Sequence, residues 1–289
     1  MERIVIDARA KLNLSLDVLR RREDNYHDML MVMQDVDLYD TITVEKNDSG
    51  KIRLTTNIDF LPTDERNLAV RAADAFYKAA GIPVSGVDIS IHKRIPVAAG
   101  LAGGSTDAAG VLKALNTLYG TNIPQDELCM IGKTLGADVP YCIVGGTALA
   151  EGIGEILTPL PELPDCIFVI AHPSVAVSTK YVFGKLDLGR VKYRPDTKGI
   201  KDALGKGDLG GVARRMLNVL EPITSSNHKI IGRIEDVMLD CGALGAAMSG
   251  SGPSVFAVFD NEAKAKDCEG KLKEMIKDVF VVPHKKKRP

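Results

Sequence analysis

The most distinctive stretch of the chain reads Pro96-Val-Ala-Ala-Gly-Leu-Ala-Gly-Gly-Ser-Thr-Asp-Ala-Ala109. It follows an alternating apolar pattern over residues 87–95, which predicts a strand, and precedes apolar side chains at helical spacing over residues 111–119. Glycines let the backbone approach a ligand closely and adopt positive φ. Because the first N–H groups of a helix are unpaired and lie at its positive end, this loop predicts an anion site. A tight turn that needs small residues only for packing is the alternative.

The chain lacks the common phosphate-binding and catalytic motifs. The pattern GxxxxGK[ST] fails because Glu127 stands where its first glycine is required, ahead of Gly132-Lys-Thr134. The GxGxxG pattern, the HRD and DFG elements of protein kinases and the GxSxG pattern of serine hydrolases are all absent. The loop at 96–106 therefore indicates another phosphate-binding architecture.

Composition excludes several classes of protein. The 289 residues carry a formal charge of −1, which argues against a dedicated nucleic-acid binder. The five cysteines form no CxxC and the five histidines no HxxxH, so neither a disulfide framework nor a zinc site is indicated. Charged residues near the N-terminus argue against a signal peptide, and the weakly polar run 139–150 is too short to span a bilayer. We expect a cytoplasmic protein with no nucleic-acid or membrane partner; its oligomeric state is not indicated.

Strands and helices alternate along the rest of the chain. Residues 12–18 predict a half-buried strand, and residues 41–45 and 51–55 predict a hairpin across a turn at 47–50. Further strands are predicted at 141–144, 147–160 (two), 167–171, 246–259 (two) and 279–282. Helices are predicted at 67–80, 124–135, 179–186, 209–220, 230–239 and 262–276. Three prolines within residues 158–164 predict a crossing between a domain of residues 1–160 and one of residues 161–289.

Three stretches resemble the motifs of one family, the GHMP kinases. They are the loop at 96–106, Ala8-Arg-Ala-Lys-Leu-Asn-Leu14, and Gly245-Ala-Ala-Met-Ser-Gly-Ser-Gly-Pro253. The resemblance implies a two-domain α+β fold. Its N-terminal domain would hold a mixed sheet with a left-handed β-α-β crossover, against the general rule of handedness. Its C-terminal domain would be a ferredoxin-like α/β sandwich.

Four other stretches resemble the members of the family that act on a cytidylyl substrate. They are Asn25-Tyr-His-Asp28, Thr134-Leu-Gly-Ala-Asp-Val-Pro140, residues 150–158 and Ala171-His-Pro173. The resemblance implies ATP-dependent phosphorylation of the C2 hydroxyl of 4-diphosphocytidyl-2-C-methyl-D-erythritol in the methylerythritol phosphate route to isoprenoid precursors. Mg²⁺ would accompany ATP. Asn25 departs from the glycine common in the family, as do Ala99 and Ala102 in the loop.

The resemblance assigns two catalytic residues. Asp138 would orient and deprotonate the acceptor hydroxyl, and Lys11 would lie beside it. A cation within about 4–6 Å lowers the pKa of a carboxylate and keeps it ionised. On the residues alone, Asp138 also suits a turn former before Pro140, and Lys11 a solvated residue on a strand.

The resemblance also assigns binding residues. Tyr26 and Phe183 would stack on the cytosine ring, His27 would bind its polar edge, and Asn13 and Thr179 would contact the rest of the substrate. The residues assigned to ATP are Pro96, Val97, Ala98, Ala99, Gly100, Leu101, Ala102, Gly103, Gly104, Ser105 and Thr106, together with Asn67 and Lys93. Asn67 equally suits a helix N-cap. Asp107 would lie beside a bound anion, and the sequence does not indicate what its carboxylate contacts.

Two other functions are open at this point. One is a GHMP kinase for a simple alcohol such as homoserine or mevalonate, against which the aromatic residues Tyr26 and Phe183 argue. The other is a non-catalytic nucleotide-binding regulator or RNA-binding module, against which the presence of both Lys11 and Asp138 argues.

Overall fold

A computed structural model describes residues 2–285, and its contacts divide the chain into two compact units. Unit 1 comprises residues 1–10, 38–97 and 102–145, and unit 2 comprises residues 11–37, 98–101 and 146–289. Two long strands, β1 (Arg3–Arg21) and β2 (His27–Lys46), contribute to both units. The division into domains at residue 160, predicted from the prolines, stays a prediction.

Unit 1 combines a mixed sheet with four helices. Its other strands are β3 (Ile52–Thr56) and β4 (Val87–His92), and its helices are α1 (Leu68–Ala80), α2 (Gly103–Tyr119), α3 (Gln125–Leu135) and α4 (Val139–Val144). The strands follow the order β3-β4-β2-β1, with β3 parallel to β4 and β4 antiparallel to β2. The apolar faces of α1 and α2 pack on this sheet around Phe76, Ile42, Ile89 and Leu112. The presence of both helices and a mixed sheet agrees with the predicted α+β class.

Two predicted elements of unit 1 are wrong. Strands β2 and β3 do not form a hairpin, because β4 lies between them and pairs with both. The run 141–144 belongs to helix α4 instead of a strand, and Pro140 occupies the first turn of that helix. Proline is tolerated there because the first helical N–H groups have no partner within the helix. The β3-α1-β4 unit is a β-α-β crossover, and its predicted left hand stays a prediction.

Unit 2 holds the remaining strands. Strand β2 pairs with β5 (Thr147–Gly152), which pairs with β6 (Ile156–Pro159), and β1 pairs with the short β8 (Leu217–Asn218). A separate antiparallel sheet contains β7 (Cys166–His172), β9 (Gly245–Met248), β10 (Val255–Phe259) and β11 (Asp278–His284). Its order, β11-β7-β10-β9, is that of a ferredoxin-like β-α-β-β-α-β motif, as predicted.

Six α-helices lie in the described part of unit 2. They are α5 (Thr179–Lys185), α6 (Thr197–Lys206), α7 (Leu209–Ala213), α8 (Glu221–Asn227), α9 (Ile230–Asp240) and α10 (Glu262–Lys273). The helix predicted over 209–220 is wrong in its second half, because the chain leaves α7 and enters β8. Within residues 2–285, no helix has the length and apolar character needed to cross a membrane. The basic run Lys285-Lys-Lys-Arg288 is expected from the sequence to be a solvated terminus, and all of it but Lys285 lies outside the described residues.

Candidate active site

The glycine-rich loop has an unusual backbone. Ala98, Gly100 and Ala102 have φ of 55°, 77° and 59°, all in the left-handed region. Ala102 is the N-cap of α2, and its carbonyl accepts the first helical hydrogen bond, from Thr106 N at 2.9 Å. Among the residues that the structure describes, no side chain caps this helix end. The first amides of a 17-residue helix therefore remain available for an anion, as the sequence predicts.

A second glycine-rich turn, residues 249–252, packs against the loop within unit 2. A Cβ atom on Gly100 would lie 2.3 Å from the carbonyl oxygen of Ser249, so position 100 cannot carry a side chain without movement of the backbone. Ser249 Oγ donates to Gly100 O at 3.0 Å, and Ser254 N donates to Ala99 O at 3.3 Å. The close approach explains why position 100 is a glycine.

Asn218 organises this second turn and was missed by the sequence analysis. Its side-chain amide donates to Met248 O at 2.8 Å and to Gly250 O at 2.7 Å, and the side chain is buried. Thr224 Oγ1 donates to Ser251 O at 3.1 Å. Asn218 lies within the helix predicted over 209–220, and Thr224 lies between that helix and the one predicted at 230–239, where no element is predicted, so no local signal indicated their role.

Lys11 and Asn13 meet on one face of β1, as their spacing of two residues predicts. Both are buried, and Lys11 Nζ donates to Asn13 Oδ1 at 2.7 Å. The backbone N–H of Lys11 donates to Leu101 O at 3.2 Å, which links this strand to the glycine-rich loop. The second turn also reaches the lysine, because a Cβ atom on Gly250 would lie 3.6 Å from Lys11 Nζ.

Asp138 is the N-cap residue of α4 and is half-buried. Its carbonyl accepts from Cys142 N at 3.0 Å, and its side chain makes no capping hydrogen bond to the helix. Lys11 and Asp138 belong to different units, and their predicted pairing stays a prediction.

His27 lies against the ring of Phe183, with centroids 5.1 Å apart and an interplanar angle of 33°. The preceding residue, Tyr26, is 58% exposed. Asn25 adopts a left-handed φ of 68°, so the turn keeps the conformation that glycine would take in its place. Burial, and secondly the charge of Arg21, lower the pKa of His27. The imidazole is thus favoured in its neutral form, with one donor and one acceptor nitrogen.

Thr179 begins α5, the helix that carries Phe183. Its hydroxyl lies 2.8 Å from the hydroxyl of Ser251, so α5 is linked to the second glycine-rich turn. The structure therefore joins four of the predicted residues of unit 2 into two groups. Lys11 and Asn13 form one, and Phe183 and His27 form the other. The turn at 249–252 lies near Lys11 of the first group and is hydrogen-bonded to the helix of the second.

The side chains of Asn67 and Lys93 are engaged within unit 1. Asn67 caps α1 by accepting from Ala69 N at 2.9 Å, and it donates to Pro62 O at 2.8 Å. The ammonium of Lys93 is buried and donates to Asp40 at 2.5 Å and Asp107 at 2.6 Å. The carboxylate of Asp107, whose partner the sequence does not indicate, therefore contacts the ammonium of Lys93. A contact of either Asn67 or Lys93 with ATP stays a prediction.

Comparison with known proteins identifies the family. Residues 67–146 match the family model described as GHMP kinases N terminal domain, and residues 200–278 match GHMP kinases C terminal. The chain belongs to the GHMP kinase family. It is an ATP-dependent small-molecule kinase with the two-domain fold of that family.

Individual proteins of the family are similar to this chain over nearly its full length. The chain is 50% identical over 276 residues to 4-diphosphocytidyl-2-C-methyl-D-erythritol kinase of Clostridium botulinum (strain Eklund 17B / Type B), covering 96% of this GHMP kinase and 98% of that protein. A crystal structure of 4-(cytidine 5'-diphospho)-2C-methyl-D-erythritol kinase superimposes with a TM-score of 0.83 at 33% identity, covering 97% and 98% of the two chains. Homoserine kinase from Cytophaga hutchinsonii, at 24% identity, 99% and 96% coverage and a TM-score of 0.79, shares the fold.

The environment of His27 gives a first prediction. In Arg21→Ala, loss of the neighbouring positive charge should raise the pKa of His27, while burial should keep that pKa below the value of a free imidazole. An NMR titration of the His27 ring measures both. Arg233→Ala, which removes a charge with no part in the shift, is the matched control. A pKa of His27 that is the same in Arg21→Ala and in the parent protein would contradict this electrostatic description.

Proposed function

We propose that this GHMP kinase transfers the γ-phosphoryl group of ATP to the C2 hydroxyl of 4-diphosphocytidyl-2-C-methyl-D-erythritol, in the methylerythritol phosphate route to isoprenoid precursors. The observation that carries the proposal is the 50% identity to a kinase of that name over 96% of the chain. The ring pair of His27 and Phe183 supports it, because an aromatic platform beside a neutral imidazole suits a nucleobase better than a small aliphatic alcohol.

Asp138 is the proposed base. Phosphoryl transfer depends mainly on positioning and on stabilisation of charge, with one group needed to handle the proton of the attacking hydroxyl. The carboxylate of Asp138 takes that proton as the C2 oxygen forms a bond to the γ-phosphorus. The bond between this phosphorus and the β–γ bridging oxygen breaks, and ADP leaves with the bonding electrons. Lys11 would stabilise the negative charge that develops on the transferred group, and its buried ammonium is oriented for this by Asn13.

The loop at 96–106 is the proposed phosphate site. The unpaired amides at the start of α2 and the left-handed residues before it support this assignment. Mg²⁺ is proposed to accompany ATP. Among residues 2–285, no group of three or more His, Cys, Asp or Glu side chains is arranged to hold a metal ion. Mg²⁺ beside a nucleotide is commonly held by phosphate oxygens and water. When bound, the ion would neutralise part of the phosphate charge.

The cytidine end of the substrate is proposed to bind at Tyr26, His27 and Phe183. Stacking on an aromatic ring tolerates any base, so the edge contact must provide the preference for cytosine. A neutral His27 offers one hydrogen-bond donor and one acceptor for that contact. Asn13 and Thr179 are proposed to bind the remaining polar groups of the substrate. The proposal includes a cytoplasmic location. It includes no nucleic-acid partner, because the formal charge is close to zero.

Replacing the proposed base gives a second prediction. Asp138→Asn should lower kcat by at least roughly a hundredfold, since general-base catalysis contributes about 10²–10⁴-fold, and should leave ATP affinity nearly unchanged. Steady-state ADP release and calorimetric ATP binding measure the two quantities. Asp126→Asn, at an exposed position in the first turn of α3, is the matched control and should keep its turnover. Parental turnover in Asp138→Asn would remove Asp138 as the base.

Removing the aromatic platform gives a third prediction. Phe183→Ala should raise the KM for the cytidylyl substrate by roughly five- to 150-fold, since base stacking contributes about 1–3 kcal/mol, with little change in the KM for ATP. Tyr181→Ala, an exposed ring on the same helix, controls for damage to α5. An equal rise of both KM values in Phe183→Ala would mean that the ring supports the fold and does not bind the base.

A further inference from the structure

Three ionisable side chains form a buried cluster in unit 1 that the proposed mechanism does not use. Lys93 follows β4, Asp40 lies on β2, and Asp107 lies in the early part of α2. Their side chains are at most 7% exposed, and Lys93 Nζ bonds both carboxylates. Burying charges is costly unless they are paired and hydrogen-bonded, so a cluster of three at one place calls for a physical reason.

Asp40 binds the backbone as well as the lysine. Its Oδ1 accepts from Arg94 N at 2.6 Å and from Ile95 N at 2.9 Å, while its Oδ2 accepts from Lys93 Nζ. One carboxylate thus fixes the two residues that lead into the glycine-rich loop at Pro96. Asn57 holds the same segment from its other side, because its side chain accepts from Lys93 N at 2.7 Å and donates to Lys93 O at 3.2 Å.

The ammonium of Lys93 carries this restraint to the far end of the loop. It donates to Asp107 Oδ2, which belongs to the helix that begins at Gly103. A Cβ atom on Gly103 would lie 3.4 Å from Lys93 Nζ and 3.3 Å from Ile95 Cγ2, so the first turn of α2 rests directly on this segment. The entry to the loop and the helix that follows it are therefore held by one set of contacts that begins at Asp40.

The charges of the cluster do not cancel when both carboxylates are ionised. Burial raises the pKa of Asp107 to about 7, with Lys93 lowering it and Asp40 raising it further. Burial lowers the pKa of Lys93, but the two carboxylates raise it by more, so the ammonium stays charged. Asp107 Oδ1 is buried without a partner among the described residues. An excess of negative charge close to an anion site would by itself oppose the binding of ATP. Any gain in ATP affinity from Asp40 must therefore come from the geometry of its hydrogen bonds.

We propose that Asp40 is a positioning residue for ATP, which holds the backbone of the phosphate loop through the amides of Arg94 and Ile95 and through Lys93. This inference rests on the proposed function only in placing the ATP phosphates at residues 96–106. The inference adds Asp40, which touches neither substrate and lies on β2, more than fifty positions before the phosphate loop in the sequence.

The test compares Asp40→Ala with Asp40→Asn. Asp40→Ala removes the acceptor for two backbone amides, of which that of Ile95 is buried, and should weaken ATP binding about tenfold or more, with little change in the KM for the acceptor. The remaining Lys93–Asp107 pair is balanced in charge, which favours folding of this variant. Asp40→Asn keeps an oxygen for the two amides and should restore ATP affinity to within about threefold of the parent protein. Calorimetry with ATP alone measures the affinity, and thermal unfolding measures stability.

The direction in which Asp40→Ala changes ATP affinity distinguishes a positioning role of Asp40 from an electrostatic or a purely structural one. A purely electrostatic role predicts tighter ATP binding in Asp40→Ala, because a negative charge near the phosphates is removed. A purely structural role predicts a lower Tm with parental ATP affinity in the folded protein. Either result would overturn the proposal. If Asp40→Ala fails to fold, Asp40→Asn carries the test, and ATP binding more than about threefold tighter than that of the parent protein would overturn the proposal.

Two controls complete the experiment. Asp74→Ala removes an exposed carboxylate of unit 1 that pairs with Lys78, and it should bind ATP like the parent protein. Gly103→Val obstructs the first turn of α2 and should weaken ATP binding. If Gly103→Val leaves ATP affinity unchanged, the assignment of the phosphate loop fails. If Gly103→Val weakens ATP binding and Asp40→Ala does not, only the inference about Asp40 fails.

Discussion

The backbone at Gly100 and the turn at 249–252 lie closer together than any side chain at position 100 would permit, with 2.3 Å between the place of a Cβ atom and Ser249 O. This approach allows Ser249 and Ser254 to hydrogen-bond the loop directly. The N–H of Lys11 binds the adjoining Leu101 carbonyl, so a strand, a loop and a turn from distant parts of the sequence are fixed together. The position of the Lys11 ammonium relative to the loop depends on this contact.

Left-handed backbone at Ala98 and Ala102 is the second requirement of the loop. An L-residue in this region costs roughly 1–2 kcal/mol compared with its preferred conformation. Such strain persists only where the surroundings fix the backbone, and functional sites are where it is commonly found. Within unit 2, the hydrogen bonds from Ser249 Oγ to Gly100 O and from Ser254 N to Ala99 O restrain the backbone next to Ala98. In the proposed function, a loop restrained in this way would present its amides to the phosphates without having to reorganise.

The local features of the sequence predicted the local structure well. Asn67 and Asn261 are N-caps as their residue type suggests, and the period-2 pattern around Leu12 and Leu14 corresponds to a real strand. The glycine-rich loop begins α2 as its composition indicates, and Asn25 takes the left-handed conformation that asparagine tolerates. In each case the signal and the structure lie within a few residues of each other.

The errors concern interactions between distant residues. Strand β4 inserts between β2 and β3, and no turn signal near residue 50 could reveal a partner that starts at Val87. The short apolar run before Gly145 suits a buried strand or a buried helix equally, and tertiary packing decided for the helix. Asp40 and Asn218 look like ordinary polar residues because their partners lie far away in sequence. The resemblance to the GHMP kinases identified the motifs, but it did not identify the residues that hold them.

The most direct test of the proposed activity is ADP release by the purified protein with Mg-ATP and three separate acceptors. The acceptors are 4-diphosphocytidyl-2-C-methyl-D-erythritol, mevalonate and homoserine. The account predicts turnover with the cytidylyl compound alone. Turnover with mevalonate or homoserine but not with the cytidylyl compound would contradict it, as would ATP binding without turnover of any of the three.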